Sequence, residues 1–221
     1  MRGFRVVAAL VVAVALTAGC GVSGVDVPAA AAEAGAGTEL TTFGTITARL
    51  DGSARTWHVV GDPRDARLGS ASWHEPKPGE RMITIAGFDT AAPPFASFTR
   101  DARGIVTSYG DYAGSLFILV LSDVGANPKP RVVRLEGRPT VMYVAQASLL
   151  DPKRNDPARL VCAMHVAESG TLDVTAIGFD GDRAFVEGTV SATLAACDGR
   201  LSIADGRFRL RNLPKLDVGS R

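Results

Sequence analysis

Short runs in which apolar and polar side chains alternate recur along most of the chain. In Gly44–Leu50 every second side chain from Ile46 onward is apolar, which is the period of a β-strand with one buried face. Asp51 and Gly52 follow at once, and this pair favours a type I′ turn because both central positions of that turn need positive φ. We therefore predict a hairpin whose second strand is Ala54–Val60.

The same pattern predicts further strands, separated by Gly, Pro, Asn and Asp residues that are typical of turns. They are Arg81–Phe88, Gly104–Tyr109, Ser115–Leu121, Arg131–Leu135, Thr140–Ala145, Arg159–Ala167, Thr171–Phe179, Arg183–Leu194 and Arg200–Leu210. Many short strands without a long amphipathic helix indicate an all-β fold, either an antiparallel sandwich or a barrel, of about ten strands. The pattern does not choose between the two.

The last three predicted strands form an antiparallel meander. Asp180-Gly181 and Cys197-Asp198-Gly199 supply the two turns, and Asp205-Gly206 predicts a bulge inside the final strand. One earlier segment differs from all the others, because Leu116–Leu121 is apolar at every position. We predict that this strand is buried on both faces.

The N-terminal residues have the features of an export signal. Arg2 and Arg5 precede the uninterrupted apolar run Val6–Leu16, which is too short for a membrane-spanning helix of ~20 residues. The run leads through small residues into Cys20. The segment LTAGC at residues 16–20 resembles the lipobox of bacterial lipoproteins, although Thr17 stands where leucine is commonest.

This resemblance implies that residues 1–19 are a lipoprotein signal peptide and that Cys20 carries fatty acyl chains, two or three of which suffice for stable anchoring. The Gly- and Ala-rich residues up to 37 would form a flexible tether, and residues 38–221 a single β domain. Gly21 in place of aspartate implies the outer membrane if the host is diderm, and otherwise the outer face of the cell membrane. The alternative is a plain secretory signal in which Cys20 is incidental.

The charge of the chain limits its partners. Lysine and arginine total 24 against 23 acidic residues, and no block of like charges appears. Nucleic-acid binding requires a basic patch, so we exclude that class. Besides the membrane at Cys20, an envelope protein or a glycan is the expected partner.

Two further cysteines, Cys162 and Cys197, remain after Cys20. In an oxidising envelope compartment they are expected to form a disulfide. The rival interpretation is a metal site formed by this pair with His165. We expect Cys162 to lie within a strand, where residues three apart point to opposite faces, and this disfavours the metal site.

Motifs for catalysis are lacking. The sequence contains neither G-x-S-x-G nor H-E-x-x-H, and its three histidines, at positions 58, 74 and 165, have no recognisable spacing. Asp180 and Asp182 could hold Ca²⁺, but turn formation explains them as well. We predict no catalytic residue, no metal and no cofactor.

Two segments have the composition of binding loops. Trp73 and His74 open a Pro-rich stretch that runs to Gly79, and Tyr109, Asp111 and Tyr112 lie among glycines. Aromatic faces beside carboxylates could stack on sugar rings or contact a protein. The plainer interpretation is that these residues form ordinary loops.

A second resemblance concerns the β domain. A strand, an Asp-Gly pair and a Trp within Thr45–Trp57, together with the later segments VEGTVSATL and LSIADGRF, resemble uncharacterised bacterial envelope lipoproteins of domain-of-unknown-function type. Val190 stands where that group usually has phenylalanine. The resemblance implies a β-sandwich lipoprotein with no assigned activity.

Together these features predict a membrane-anchored envelope lipoprotein whose β domain is a non-catalytic binding or structural module. Two alternatives stay open. One is an envelope hydrolase that uses residues such as His74 with Asp111 or Asp89. The other is a carrier of lipids or other hydrophobic ligands with an apolar barrel lumen.

Overall fold

The computed structural model describes residues 40–63, 65–100, 106–136, 138–151 and 155–217. The predicted signal peptide, Cys20 and the tether lie outside the described residues. The described chain is almost entirely β, as predicted. Its strands are β1 (Thr41–Leu50), β2 (Ser53–Asp62), β3 (Asp65–Gly69), β4 (Ala71–Lys77), β5 (Glu80–Phe88), β6 (Thr99–Arg100), β7 (Val106–Ser108), β8 (Leu116–Val124), β9 (Arg131–Arg134), β10 (Val141–Val144), β11 (Met164–Asp180), β12 (Arg183–Ala196) and β13 (Gly199–Pro214).

Eight of these strands form a closed antiparallel barrel, in the order β2, β1, β13, β12, β11, β10, β8 and β5, with β5 returning to β2. The remaining strands lie outside this circuit: β3 and β4 pair with β2 and β5, β9 pairs with β11, and β6 pairs with β7. Closure resolves the choice that the sequence left open, in favour of the barrel. Within the described residues, no helix has the length and apolarity needed to cross a bilayer.

The predicted turns are confirmed. Asp51 and Gly52 have φ of 46° and 78° and join β1 to β2. Strands β11, β12 and β13 form the predicted meander. At Asp205, with φ of 53°, the register of β13 shifts against both neighbours, which is the predicted bulge.

The barrel interior is filled with side chains. Ile46, Ile83, Leu119 and Val186 have no exposed surface, and Trp57 is 1% exposed. The Trp57 ring packs 4.9 Å from the Phe117 ring, centroid to centroid. Gly87 on β5 makes this packing possible, because a Cβ at that position would lie 2.7 Å from the Cβ of Trp57.

Strand β8 is buried on both faces over its first residues, as its sequence predicted. Phe117 and Leu119 point into the barrel core. Leu116 belongs instead to a second apolar cluster, together with Phe88, Phe98, Val144 and Ala147. Because Leu116 and Phe117 are neighbours on a strand, this second cluster covers the outer face of the barrel.

The predicted strand Arg159–Ala167 is wrong over its first half. Residues Pro157–Ala163 form a short helix, α1, and only then does β11 begin. The Asp156 carboxylate accepts a hydrogen bond from the Arg159 N–H, and proline follows the cap at the first helical position. This N-terminal signal outweighs the apolar pattern that suggested a strand.

Cys162 therefore lies in helix α1 and not within a strand, whereas Cys197 lies in the β12–β13 turn as predicted. The two cysteines form the predicted disulfide, with their Cα atoms 4.9 Å apart. The bond fastens the end of α1 to the meander.

Strands β3 and β4 were not predicted from the sequence. The stretch from Trp73 to Gly79 suggested a Pro-rich loop, but Ala71–Lys77 is a strand paired with β5. Pro76 falls where the register between β4 and β5 is interrupted, and β4 is the last strand of the sheet on that side. An edge strand tolerates proline because no further strand needs its N–H group.

Ser70 joins β2 to β5, which pair directly only at His58 and Phe88. Its N–H donates to Val60 O at 2.9 Å, and its carbonyl accepts from Ala86 N at 2.6 Å. Its side-chain Oγ accepts from Val60 N, also at 2.9 Å, and the residue is buried. We call this junction, formed by Val60, Ser70 and Ala86, the seam.

We predict that Ser70→Ala destabilises the barrel. The substitution leaves the buried Val60 N–H without its acceptor, which costs about 1–3 kcal/mol of unfolding free energy. Urea denaturation measures the loss. Ser122→Ala is the matched control, because its exposed hydroxyl bonds to the neighbouring Asp123 and to no other described residue. A loss as large in the control would contradict the role of the seam.

We also predict that the Cys162→Ala/Cys197→Ala double variant is less stable. The bond closes a loop with a sequence separation of 35, for which chain entropy gives ~4 kcal/mol. Chemical denaturation with and without a reductant tests this. The reductant should weaken the wild type and leave the variant unchanged, and an unchanged wild type would contradict the prediction.

Candidate functional site

Trp73, the first predicted binding residue, is buried. Its ring packs 4.8 Å from the Phe179 ring, and the guanidinium of Arg81 lies 5.2 Å from the indole centroid. The Nε1–H donates to the Asp182 carbonyl at 3.2 Å. With only 3% of the residue exposed, the indole is part of the barrel packing and offers no open face for stacking.

His74 is adjacent on β4 and half-buried. Burial lowers the pKa of its imidazole, which favours the neutral form. His74 pairs with Met82 on β5, and Asp89 follows the last residue of that strand, seven positions after Met82. At ~3.3 Å per residue, Met82 and Asp89 are about 23 Å apart, so the structure does not bring together the His74 and Asp89 of the hydrolase alternative.

Tyr109 and Tyr112 belong to the second apolar cluster. Both rings pack edge-on against Phe88, with centroids 6.3 Å and 5.5 Å away. Burial raises the pKa of Tyr109 to about 12, against the opposing positive charge of Arg100. Asp111, between the two tyrosines, is exposed. The tyrosines therefore hold the loop on the barrel wall.

Asp89 accepts a set of hydrogen bonds that sequence reasoning did not identify. Tyr112 Oη donates to Oδ1 at 2.5 Å, and the Ser115 N–H and hydroxyl donate to Oδ2 at 2.7 and 3.0 Å. Ser115 Oγ in turn accepts from Trp57 Nε1 at 3.1 Å. The chain of bonds links the loop to the barrel core.

These bonds determine the charge state of Asp89. Partial burial alone would raise the pKa of its carboxyl group, but the hydrogen bonds from Ser115 and Tyr112 outweigh burial and lower it. The pKa of Tyr112 is raised by burial and by its bond to Asp89. Asp89 is therefore an ionised acceptor, which suits positioning of the loop rather than proton transfer at neutral pH.

A recess of about 490 Å³ opens in the barrel wall between β8 and β9. We call it the slot. Its lining residues are Val120, Leu121, Ser122, Asp123, Arg131, Val132, Val133, Arg134, Glu136, Arg138 and Thr140. A volume of this size falls within the range of ligand sites in proteins, ~300–1,000 Å³.

The slot exists because β8 and β9 are neighbours that do not pair. Pairing of β8 with β10 ends at Leu119, apart from one further bond in which Val120 N–H donates to Thr140 O at 2.9 Å. Among the described strands, β9 pairs with β11 alone. At the opposite end, the Arg131 guanidinium bridges the gap by donating to the Ser122 and Asp123 carbonyls at 2.8 and 3.2 Å.

Main-chain groups face the slot from both sides. Leu135 N–H donates to Gly170 O on β11 at 3.1 Å. Because main-chain groups alternate in direction along a strand, those of Val132 and Arg134 point away from β11 and into the slot. On β8, the Ser122 carbonyl faces the slot, because it accepts a hydrogen bond from Arg131.

The rim is charged. Arg134 and Arg138 are exposed, and in the described part of the chain neither has an ion pair or a hydrogen bond. Asp123 and Glu136 contribute carboxylates to the same rim. Val132 is 63% exposed, the highest value among the large apolar side chains described.

Sequence reasoning predicted β9 and β10 but missed the slot between β8 and β9. The available signal was proline: Pro128 and Pro130 precede β9, and Pro139 precedes β10. Proline has no N–H for strand pairing, so a hairpin flanked in this way is a poor candidate for a continuous ladder.

The other two histidines lie on different strands, β11 and β2. His165 Nε2 lies 3.7 Å from Asp198 Oδ1, next in sequence to the disulfide. His58 lies on β2 opposite Phe88. Among the described residues, no group of three or more His, Cys, Asp or Glu side chains could hold a metal ion. Asp182 contributes its carbonyl to Trp73 and to the Lys215 N–H.

The fold and the slot together define a class of protein: a closed antiparallel β-barrel with a filled interior and a polar opening in its wall. No protein-family model matches the chain, and no curated protein or solved structure matches it either. The barrel and the slot are therefore the features that bear on function.

We predict that Tyr112→Phe raises the pKa of Asp89. The pKa of the Asp89 carboxyl group is lower in the folded protein than in the unfolded chain, so the carboxylate stabilises the fold above about pH 4. This contribution is lost as the pH falls through the pKa of the folded protein. The variant should therefore lose less stability than the wild type on acidification. Carbon-13 NMR titration of the carboxyl group and urea denaturation at low and neutral pH measure both effects.

Tyr109→Phe is the control, because Asp89 accepts its hydrogen bonds from Tyr112 and Ser115. An Asp89 pKa that Tyr112→Phe leaves unchanged would contradict the assignment.

Proposed function

We propose that this protein is a bacterial envelope lipoprotein, anchored in a membrane through acyl chains on Cys20, whose barrel is a non-catalytic binding module. The observation that carries the binding assignment is the contrast between a filled barrel interior and an open slot in its wall. The anchor rests on the lipobox-like segment at residues 16–20.

The filled interior bears on the carrier alternative. An acyl chain inside the barrel would need the space that Ile46, Trp57, Phe117 and Leu119 occupy, and each of these residues is at most 1% exposed. Tightly packed cores do not open such a space without large losses of packing energy. The barrel thus favours recognition at its surface over transport in its lumen.

The hydrolase alternative has less support than the binding module. A nucleophile or general base must lie within hydrogen-bond reach of its partner. Asp89 directs its carboxylate at Tyr112 and Ser115, whereas His74 lies on β4 opposite Met82, far from Asp89. The Asp89 carboxylate and the His74 imidazole of the hydrolase alternative therefore lie in separate parts of the barrel.

We predict that Cys20→Ser releases the protein from the membrane. Expression of both forms in a bacterial host, followed by membrane fractionation and mass spectrometry of the N-terminal peptide, tests the anchor. The wild type should carry acyl chains on Cys20 and sediment with membranes. Cys162→Ser is the matched cysteine control, because it should stay acylated and membrane-bound. A Cys20→Ser protein that still sediments with membranes would contradict lipid anchoring.

A further inference from the structure

We propose that the slot binds an extended acidic peptide segment of a partner protein by strand addition. This inference rests on the proposed function, since it names the class of ligand for the binding module. Two independent observations carry it: the main-chain groups that line the slot, and two rim arginines that have no partner among the described residues.

The first observation is the main chain. Val132 and Arg134 direct their N–H and C=O groups into the slot from β9, whereas the Ser122 carbonyl on β8 already accepts a hydrogen bond from Arg131. An extended peptide satisfies such groups by continuing the ladder, which is the usual way in which a sheet edge recognises a partner. A compact ligand could reach only part of this row of alternating donors and acceptors.

The length of the slot limits the segment. Val120 and Asp123 mark its two ends on β8, beside the Thr140 bond and the Arg131 bridge. Three residues of strand span about 10 Å. The slot therefore takes about three or four residues of an extended chain, and the flanking residues of the partner lie across the outer wall.

The second observation is the charge. Side chains alternate between the two faces of a strand, and Leu135 on the next position is fully buried in the core. Arg134 therefore stands on the outer face, where Arg138 is also exposed. Neither guanidinium has a partner in the described chain. Arginines outnumber the rim carboxylates Asp123 and Glu136, so the rim is net positive. Carboxylates on the outward positions of a bound peptide would provide charge-assisted bonds to both arginines.

Val132 adds an apolar contact on the same face. It is two residues before Arg134 on β9, so the two side chains point the same way. A segment in which acidic and β-branched residues alternate would place carboxylates near the arginines and pair its main chain with the edge of β9.

The test uses the exported chain, purified intact, and an acetylated and amidated five-residue peptide of alternating glutamate and valine, labelled with a fluorophore. Fluorescence anisotropy measures its binding, and hydrogen exchange measures protection of residues 120–124 and 131–135. Three further probes accompany it: the same peptide with N-methylated main chain, its lysine analogue, and inorganic phosphate as competitor.

We expect the acidic peptide to bind and to protect both segments, and the N-methylated and lysine peptides to bind at least about tenfold more weakly. Arg134→Glu/Arg138→Glu should weaken binding by about tenfold or more. Arg207→Glu, an exposed arginine on β13 without an ion pair in the described chain, should change it by less than about twofold. Because the N-methylated peptide is compared on the unaltered protein, the test does not depend on the folding of any variant.

Strand addition would be overturned if the N-methylated peptide bound as tightly as the unmodified one, or if phosphate at the same total charge displaced the acidic peptide. Either result would indicate a simple anion site, and the proposal of a binding module would stand. No binding of any probe up to about 1 mM would overturn the slot as a binding site. Neither result affects the membrane anchor, which the Cys20→Ser fractionation decides separately.

Discussion

The barrel depends on how β2 meets β5. Direct pairing between them is limited to His58 and Phe88, so the sheet could not close there by a ladder alone. Ser70 supplies three hydrogen bonds at this point, two from its main chain and one from its hydroxyl. The seam places Trp57 on β2 directly against Gly87 on β5. Without the seam, the Trp57 indole in the core would lose its packing against β5.

The seam and the slot are two outcomes of the same constraint. In each place a barrel strand lacks a continuous partner. At the seam, Ser70 bridges the main chains and buries the junction. At the slot, proline-flanked β9 stays apart from β8, and the long side chain of Arg131 spans the opening. The short side chain of serine can join two main chains that are close to hydrogen-bond distance. The longer side chain of arginine reaches across a wider gap, which stays open to solvent.

Local patterns predicted most of the fold, because hairpins and meanders depend on neighbouring residues. The Asp51-Gly52 turn, the bulge at Asp205 and the doubly buried start of β8 are all present. The helix that begins at Pro157 was not predicted, although Asp156 and Pro157 are typical of a helix start, because the apolar run that follows fits a helix or a strand. The burial of Trp73 and the slot depend on strands that are distant in sequence, and no local pattern contains that information.

An unpaired strand edge on a surface invites pairing with any other edge, including that of a second copy of the same protein. The slot restricts this through its charge and its length. Its edge is only about three residues long between closed ends, and the two arginines on its rim have no partner in the part of the chain that the structure describes. A second copy would bring its own Arg134 and Arg138 together with Asp123 and Glu136, so its mixed charges complement the rim less well than carboxylates alone do. The rim therefore favours an acidic segment over a second copy, and the main chain of that segment satisfies the edge.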